Sequence, residues 1–421
     1  MNILLVGATG FVGRHLLLAL QQAGHQVVAT CREPRSQNWP GVEWRPLDLN
    51  LLAVDPEGFD FPESVDLLIN AAGLLSVDAA ELSRVQDRGT CALFDLAAQR
   101  GVRVLQVSAL GASAQSDVPF LASKGAADDY LLGLGIEAVV LRPSLVVGEG
   151  GASSAWLAAL SPWPLIPLLD LKAHLQPVHI VDVVGAVLAL LRRWPVEAMV
   201  LPLVGPEPMR LSQVIDHLRA VQGWAPGRYV QAPLLGLSGR VGDRLGWRAL
   251  NRQSITLAQQ DNVADPEVLA SVCGYSAAPL SSRLQGWPTA AVSSQLTVRP
   301  LMLAVLVLIW LGTAAVCLGP GYEWGLRIMA QAGVHGVWAM LAVIGGSLCD
   351  GLLGTGLLIR RWRRHTLLLQ LLLMVGYTVV ISFVLPHYWF DPYAAVAKNL
   401  VLMVATLWLF WTEPTVNECR R

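Results

Sequence analysis

Met1-Asn2-Ile3-Leu4-Leu5-Val6-Gly7-Ala8-Thr9-Gly10-Phe11-Val12-Gly13 opens the chain. The apolar run at 3–6 suits a buried strand, and the glycine-rich turn follows it at once. Leu16, Leu17 and Leu20 then recur at the spacing of a helix face. Strand, glycine turn and helix in that order form the first unit of a dinucleotide-binding fold. Gly7 permits the tight turn, Gly10 lets backbone N–H groups approach a pyrophosphate, and Gly13 lets the helix pack close to the strand. The helix N-terminus adds partial positive charge. Thr9, Phe11 and Val12 share this turn and count with the glycines as candidate cofactor contacts.

Outward from the turn, strand-like runs at 26–30, 67–70, 104–107 and 138–141 alternate with helical stretches such as 89–100 and 123–132. Alternation of this kind predicts an α/β fold: a doubly wound parallel sheet of the Rossmann type with helices on both faces. Residues 1–150 read as this core. Residues 151–286 are less regular and richer in proline, and read as a smaller substrate-side lobe interleaved with the core. Residues 287–300 read as a linker.

The totals point to a second, different region. The chain has 421 residues, too many for one typical core. It is 54% hydrophobic and only 14% charged, to the apolar side of a soluble protein. Beyond Pro300, residues 301–318 and 366–385 carry no charge, and 337–359 carry only Asp350. A fourth stretch, 400–411, reaches spanning length if it begins near Tyr393. Residues 301–412 are therefore expected to be a membrane domain of about four transmembrane helices. The Arg360-Arg361-Trp362-Arg363-Arg364 cluster and Arg420-Arg421 place that loop and the C-terminus in the cytoplasm by the positive-inside rule. With four spans the N-terminal domain is cytoplasmic too, in agreement with a start that is no signal peptide. The expected location is the inner, cytoplasmic membrane, as a multi-pass protein.

A net charge of −1 gives no reason to expect a nucleic-acid partner. The six cysteines are scattered, with no CxxC and no histidine at ligand spacing, so neither a disulfide framework nor a metal site is indicated.

Four motifs now carry a resemblance. Gly7–Gly13, Asn70-Ala71-Ala72-Gly73, Leu141-Arg142-Pro143-Ser144 and Gln176-Pro177-Val178-His179-Ile180-Val181-Asp182 together resemble an atypical or extended short-chain dehydrogenase/reductase. The resemblance is to the branch that includes the nucleotide-binding accessory subunit of respiratory complex I and the NAD-dependent epimerase/dehydratase-like proteins. It covers about the first 285 residues, including Asp261-Asn262-Val263-Ala264-Asp265. The tail resembles DoxX-like four-helix membrane domains, through Asp350, Asp391-Pro392 and Lys398-Asn399.

The resemblance implies a nicotinamide dinucleotide, with Ala71, Ala72, Gly73 and Pro143 beside it and Lys124 at the nicotinamide ribose. It implies Asp48-Leu49 at the adenine, although a bare Asp after a strand equally marks a turn. It also implies a catalytic Tyr four residues before Lys124, acting as general acid or base. Here that position is Phe120, which has no hydroxyl. Tyr130, six residues past Lys124, points away from the Lys face of a helix. The family's catalytic serine falls on Ser108, with Ala109 and Leu110 at the next two places.

At the end of the second strand, Arg32 and Arg35 suit the 2′-phosphate of NADP(H), which is favoured over NAD(H) even with Glu33 between them. His179 and Asp182 read as structural more than catalytic. Asp350, inside a span among small residues, is either a proton or quinone contact or an acid that meets the neighbouring arginines. Two functions stay open. One is a membrane-anchored oxidoreductase acting on a quinone-like or otherwise lipophilic substrate. The other is a non-catalytic NADP(H)-binding structural or sensing protein.

Overall fold

The computed structural model describes residues 1–34, 39–232, 239, 252–392, 394 and 396–413. Two compact units divide it, Met1–Ser294 and Gln295–Arg421.

The first unit is built on a parallel seven-stranded sheet: β1 (Asn2–Val6), β2 (Gln26–Cys31), β3 (Glu43–Pro46), β4 (Leu67–Asn70), β5 (Arg103–Val107), β6 (Ala138–Pro143) and β7 (Met199–Leu203). The order across the sheet is β7-β6-β5-β4-β1-β2-β3. Strand order therefore reverses between β1 and β4, with Ile3 opposite Leu67 on one side and Val27 on the other. Alternation along β1 explains why the run has to be apolar throughout. Ile3 and Leu5 face α1 (Phe11–Gln22) and α4 (Ile180–Arg192), while Leu4 and Val6 face α2 (Gly89–Gln99) and α3 (Pro119–Gly133). Helix α1 buries Gly13, Leu16, Leu17 and Leu20, a single stripe at i, i+3, i+4 and i+7.

A smaller core surrounds Ile166, Leu168, Val214, Ile215, Leu218 and Leu280. Its short strands pair Leu165–Leu168 with Arg228–Gln231 and His174–Leu175 with Met209–Arg210. Between these pieces the chain returns to the large sheet to contribute α4 and β7.

The second unit begins within α5 (Ala290–Leu318) and contains α6 (Gly336–Gly356), α7 (Arg363–Val384) and α8 (Ala397–Thr412). The 287–300 stretch, expected as a linker, is helical from Ala290, and Pro300 lies inside α5. The Ala290-Ala291-Val292 start favours helix, and Pro300 removes one backbone hydrogen bond without ending it. Helices α5, α6 and α7 are long and apolar enough to cross a membrane. Leu308, Leu352, Leu372, Phe383 and Val401 point outward while Leu306, Trp310, Leu367 and Leu409 pack inside. An apolar exterior on helices of this length is what hydrocarbon surroundings require.

Helix α8 has 16 residues, about 24 Å at 1.5 Å per residue. Tyr393, where a longer version would begin, lies outside the described residues. The helix nonetheless returns the chain to the starting end of the bundle. Glu413, just beyond it, pairs with Arg299 of α5 and Arg363 of α7. Asp350 is half-buried, and its Oδ1 has no hydrogen-bond partner among the described residues. Arg363 and Arg364 turn to Glu413.

Candidate functional site

The site lies where the carboxyl ends of β1 and β4 part. Gly7 has φ +76°, and a Cβ there would fall 2.6 Å from the Ala72 nitrogen. A Cβ on Gly13 would fall 2.1 Å from the Gly7 oxygen. Gly7 therefore excludes a side chain on two grounds, conformation and volume, and Gly13 on volume alone. The Gly10 N–H closes the turn on the Gly7 carbonyl at 2.9 Å. Helix α1 begins at Phe11 with no side-chain cap and no acidic residue in its first turn. Its first N–H groups thus lack a side-chain acceptor, next to the exposed Thr9 and Gly10. Half-buried Phe11 is covered by the loop at 148–151, where a Cβ on Gly151 would meet the Phe11 ring at 2.9 Å. Val12 is half-buried beside it. A cradle closed to side chains and lined by backbone donors fits a pyrophosphate.

The loop after β4 completes one wall. Buried Asn70 accepts from the Ala72 N–H at 3.1 Å and donates to Gln106 Oε1 at 2.8 Å. This fixes Ala71 and Ala72 against Gly7, whose own Cβ would meet their backbone. Gly73 is exposed, with open space where its Cβ would be. On the far side of the switch point, Arg32 is exposed just past β2, and Arg35 lies outside the described residues. Asp48 accepts from the Asn50 N–H at 2.9 Å and so caps the short helix Leu49–Leu52. Leu49 is buried, with its carbonyl against Gly89 of α2. Asp48 thus has a capping role.

The catalytic candidates gather at the ends of β5 and β6, where a buried carboxylate joins them. Asp128 is fully buried on α3, one turn past Lys124. Ser108 donates its hydroxyl to Asp128 Oδ2 at 2.6 Å. Arg142 reaches the same oxygen through Nε at 2.9 Å and Nη2 at 2.8 Å. Asp128 Oδ1 has no partner among the described residues. Burial pushes the Asp128 carboxyl up, while Ser108 and Arg142 hold it back. Lys124 is 4% exposed and donates to the Val107 carbonyl at 3.0 Å. Burial pulls its ammonium down to about 8 against the opposing charge of Asp128. Phe120 sits one turn before it, with its ring centroid 6.0 Å from Nζ. Tyr130 is on the exposed side of α3, bound to Asp95 at 2.7 Å, and that bond raises its hydroxyl to about 12. It is no substitute for the missing tyrosine.

Residues far off in sequence close this corner. Gln253 accepts from the Phe120 N–H at 3.1 Å and donates to the Ser76 carbonyl at 3.0 Å. Asn262 accepts from Ser144 at 2.5 Å and donates to the Leu110 carbonyl at 3.2 Å, tying the loops after β5 and β6 together. Buried Pro143 ends β6, and its carbonyl accepts from the Leu110 N–H at 2.9 Å. Gln253 had no signal in the sequence, whereas Asp128 stood at helical spacing from Lys124. His179 caps α4 through Nδ1 at 3.3 Å, and Asp182 holds Arg283 at 2.7 Å and Tyr275 at 2.8 Å. Both serve the architecture.

Residues 3–200 match the NAD dependent epimerase/dehydratase family. Protein FMP52, mitochondrial, from Eremothecium gossypii is 32% identical over 160 residues, which are 35% of this chain and 68% of that protein. The chain belongs to the NAD-dependent epimerase/dehydratase family. This family member also carries a DoxX-like domain, matched over residues 305–407. A ceramide reductase of Caulobacter vibrioides is 29% identical over 196 residues, 45% of this chain and 61% of that one. NADH dehydrogenase [ubiquinone] 1 alpha subcomplex subunit 9 of Arabidopsis thaliana is 30% identical over 205 residues, 44% of this chain and 49% of that one. The chain thus spans only about half to three-fifths of the length of these two relatives. Among solved structures, MoeE5 in complex with UDP-glucose and NAD superposes with a TM-score of 0.50 at 21% identity. It covers 72% of this chain and 100% of its own, a likeness of fold.

Proposed function

We propose that this epimerase/dehydratase family member is a membrane-anchored oxidoreductase that binds NADP(H) in preference to NAD(H) and acts on a lipophilic, quinone-like substrate. The glycine cradle is the observation that carries the reading: nothing but backbone fits at Gly7 and Gly13, and the first turn of α1 is left uncapped. The N–H groups from Gly10 to Val12 would hold the pyrophosphate, Ala71–Gly73 would lie along the dinucleotide, and Arg32 and Arg35 would take the 2′-phosphate. Pro143 and Lys124 border the nicotinamide end. The bound dinucleotide supplies hydride chemistry.

The chain's own residues bear on the proton. Phe120 supplies none, and Ser108 spends its only O–H on Asp128. A reduced ketone is an alkoxide about as basic as hydroxide and needs a proton donor at once. A reduced quinone is a phenolate of a group with pKa about 10 and tolerates waiting for water. Loss of the tyrosine therefore favours quinone-like acceptors, and fusion to apolar helices favours lipophilic ones. Similarity to a ceramide reductase supports a lipid-like substrate, and similarity to a subunit of NADH dehydrogenase [ubiquinone] supports a quinone setting. The arginine-rich loop supports an inner-membrane location with the N-terminal unit and C-terminus in the cytoplasm, checked by labelling engineered cysteines from either side.

The Ser108–Asp128 bond and Phe120 also favour a second reading, a dinucleotide-binding structural or sensing protein without turnover. Titration of detergent-purified protein with NADPH and NADH, followed by quinones, aldehydes and ketones, separates the two. Quinone-dependent oxidation above background supports the first. Binding without oxidation supports the second, and no binding overturns both. Under the first reading Phe120→Tyr raises ketone reduction by about 10² to 10⁴.

A further inference from the structure

Among the described residues, one end of the helical unit gathers more positive charge than its own acid neutralises. Arg299 of α5, Arg363 and Arg364 of α7, and Glu413 beyond α8 meet there. Glu413 is 6% exposed, with Oε2 at 2.5 Å from Arg299 and Oε1 at 3.4 Å from Arg363. Arg364 donates to the Glu413 backbone carbonyl at 3.4 Å and lies over the Phe410 ring at 4.8 Å. Among the described residues, three guanidinium groups thus gather around one carboxylate, two of them on its oxygens and Arg364 on the backbone carbonyl. Arg299 and Arg363 keep only 28% and 19% of their side-chain surface in contact with the surroundings. Arg299 Nε is buried with no hydrogen-bond partner among the described residues. Partly buried cations in excess of their counter-charge are costly unless an anion joins them.

The position of the cluster says where that anion comes from. Leu301 follows Arg299-Pro300, Thr366 and Leu367 follow Arg364-His365, and the apolar face of α8 ends at Trp411. Three apolar segments end at this level, where hydrocarbon gives way to headgroups. Guanidinium forks match phosphate oxygens, and a phosphodiester on a lipid is already held at this depth. We propose that Arg299, Arg363 and Arg364 bind the phosphate of an anionic phospholipid, with Glu413 holding the arginines in place. The inference rests on the helical unit lying in a bilayer, which carbonate-resistant membrane association checks separately.

The full chain is placed in nanodiscs of phosphatidylcholine with added phosphatidylglycerol. Lipid retained after extraction is counted by native mass spectrometry, with thermal unfolding in parallel. Phosphatidylglycerol is retained over phosphatidylcholine and raises the melting temperature. Arg364→Gln weakens that preference about fivefold, and Arg364→Lys keeps part of it. Glu413→Gln, which removes the competing carboxylate and leaves every arginine, strengthens it. A preference unchanged in Arg364→Gln overturns the proposal, as does Glu413→Gln lowering stability with no gain in phosphatidylglycerol. Millimolar inorganic phosphate in detergent matching the lipid's stabilisation overturns the lipid as the source.

Discussion

The glycine turn and the Asp128 corner both lie at the carboxyl edge of one sheet, yet they are built on opposite plans. At the turn, side chains are withdrawn: a Cβ at Gly13 meets backbone at 2.1 Å, and the helix start keeps its N–H groups uncapped. At the corner, side chains are brought together until Ser108 and Arg142 are both held on Asp128 and Lys124 on Val107. An open set of backbone donors suits binding an outside anion. A closed set of charges suits holding a fold and leaves little for a substrate. The difference separates the dinucleotide cradle, open to a ligand, from the corner around Asp128, where the polar side chains already hold one another.

Four substitutions test that contrast. Gly13→Val forces a branched side chain into the turn and is expected to lower NADPH affinity at least about 100-fold and stability by about 3 kcal/mol. Titration and thermal melts read both, and wild-type affinity in this variant would remove the turn from the site. Asp128→Ala leaves Arg142 and Ser108 without their partner at a cost of about 3 kcal/mol, at the low end for a broken buried pair because Arg142 is partly exposed. NADPH affinity should change by less than about threefold, so lost binding with unchanged stability would reverse the assignment of the corner.

Lys124 gives a pH signature. Its folded value of about 8 lies below the ordinary 10.5. Between the two the unfolded chain binds more protons, so this group makes the protein more stable as pH rises through that window, with its full penalty present below it. Lys124→Met should abolish the rise, seen by comparing melting temperatures at about pH 7 and about pH 9.5. The smallest effect is at Arg32, an exposed residue. Arg32→Ala should cut the preference for NADPH over NADH about fivefold, measured by competitive titration. An unchanged ratio would assign the preference elsewhere.

Much of the architecture is legible from periodicity alone. The runs at 3–6 and 67–70 and the helix expected at 89–100 appear within a residue or so of their observed ends. Helix α3 begins four residues before the expected 123, because Pro119 occupies its first turn, where a missing N–H costs nothing. Strands β3 and β7 escape notice for a different reason. Both are sheet edges, and each contains a proline that marks a run as non-strand unless an edge accommodates it. The helix Tyr322–Gln331 is not legible as a separate element, since it is only 10 residues long and carries Glu323 and Arg327 between two apolar spans.

The sequence by itself determined the two-part plan, the place of the dinucleotide turn and the loss of the tyrosine. Each depends on neighbours in the chain: consecutive apolar residues, glycines three apart, a residue four before a lysine. Only the tertiary structure decided that Ser108 and Arg142 share Asp128, that Asn262 ties Leu110 to Ser144, and that Arg299, Arg363 and Glu413 meet. Those contacts join residues up to 152 positions apart. Local spacing carries no information about which distant polar group will satisfy a buried one, and that pairing is settled when the sheet and the bundle close.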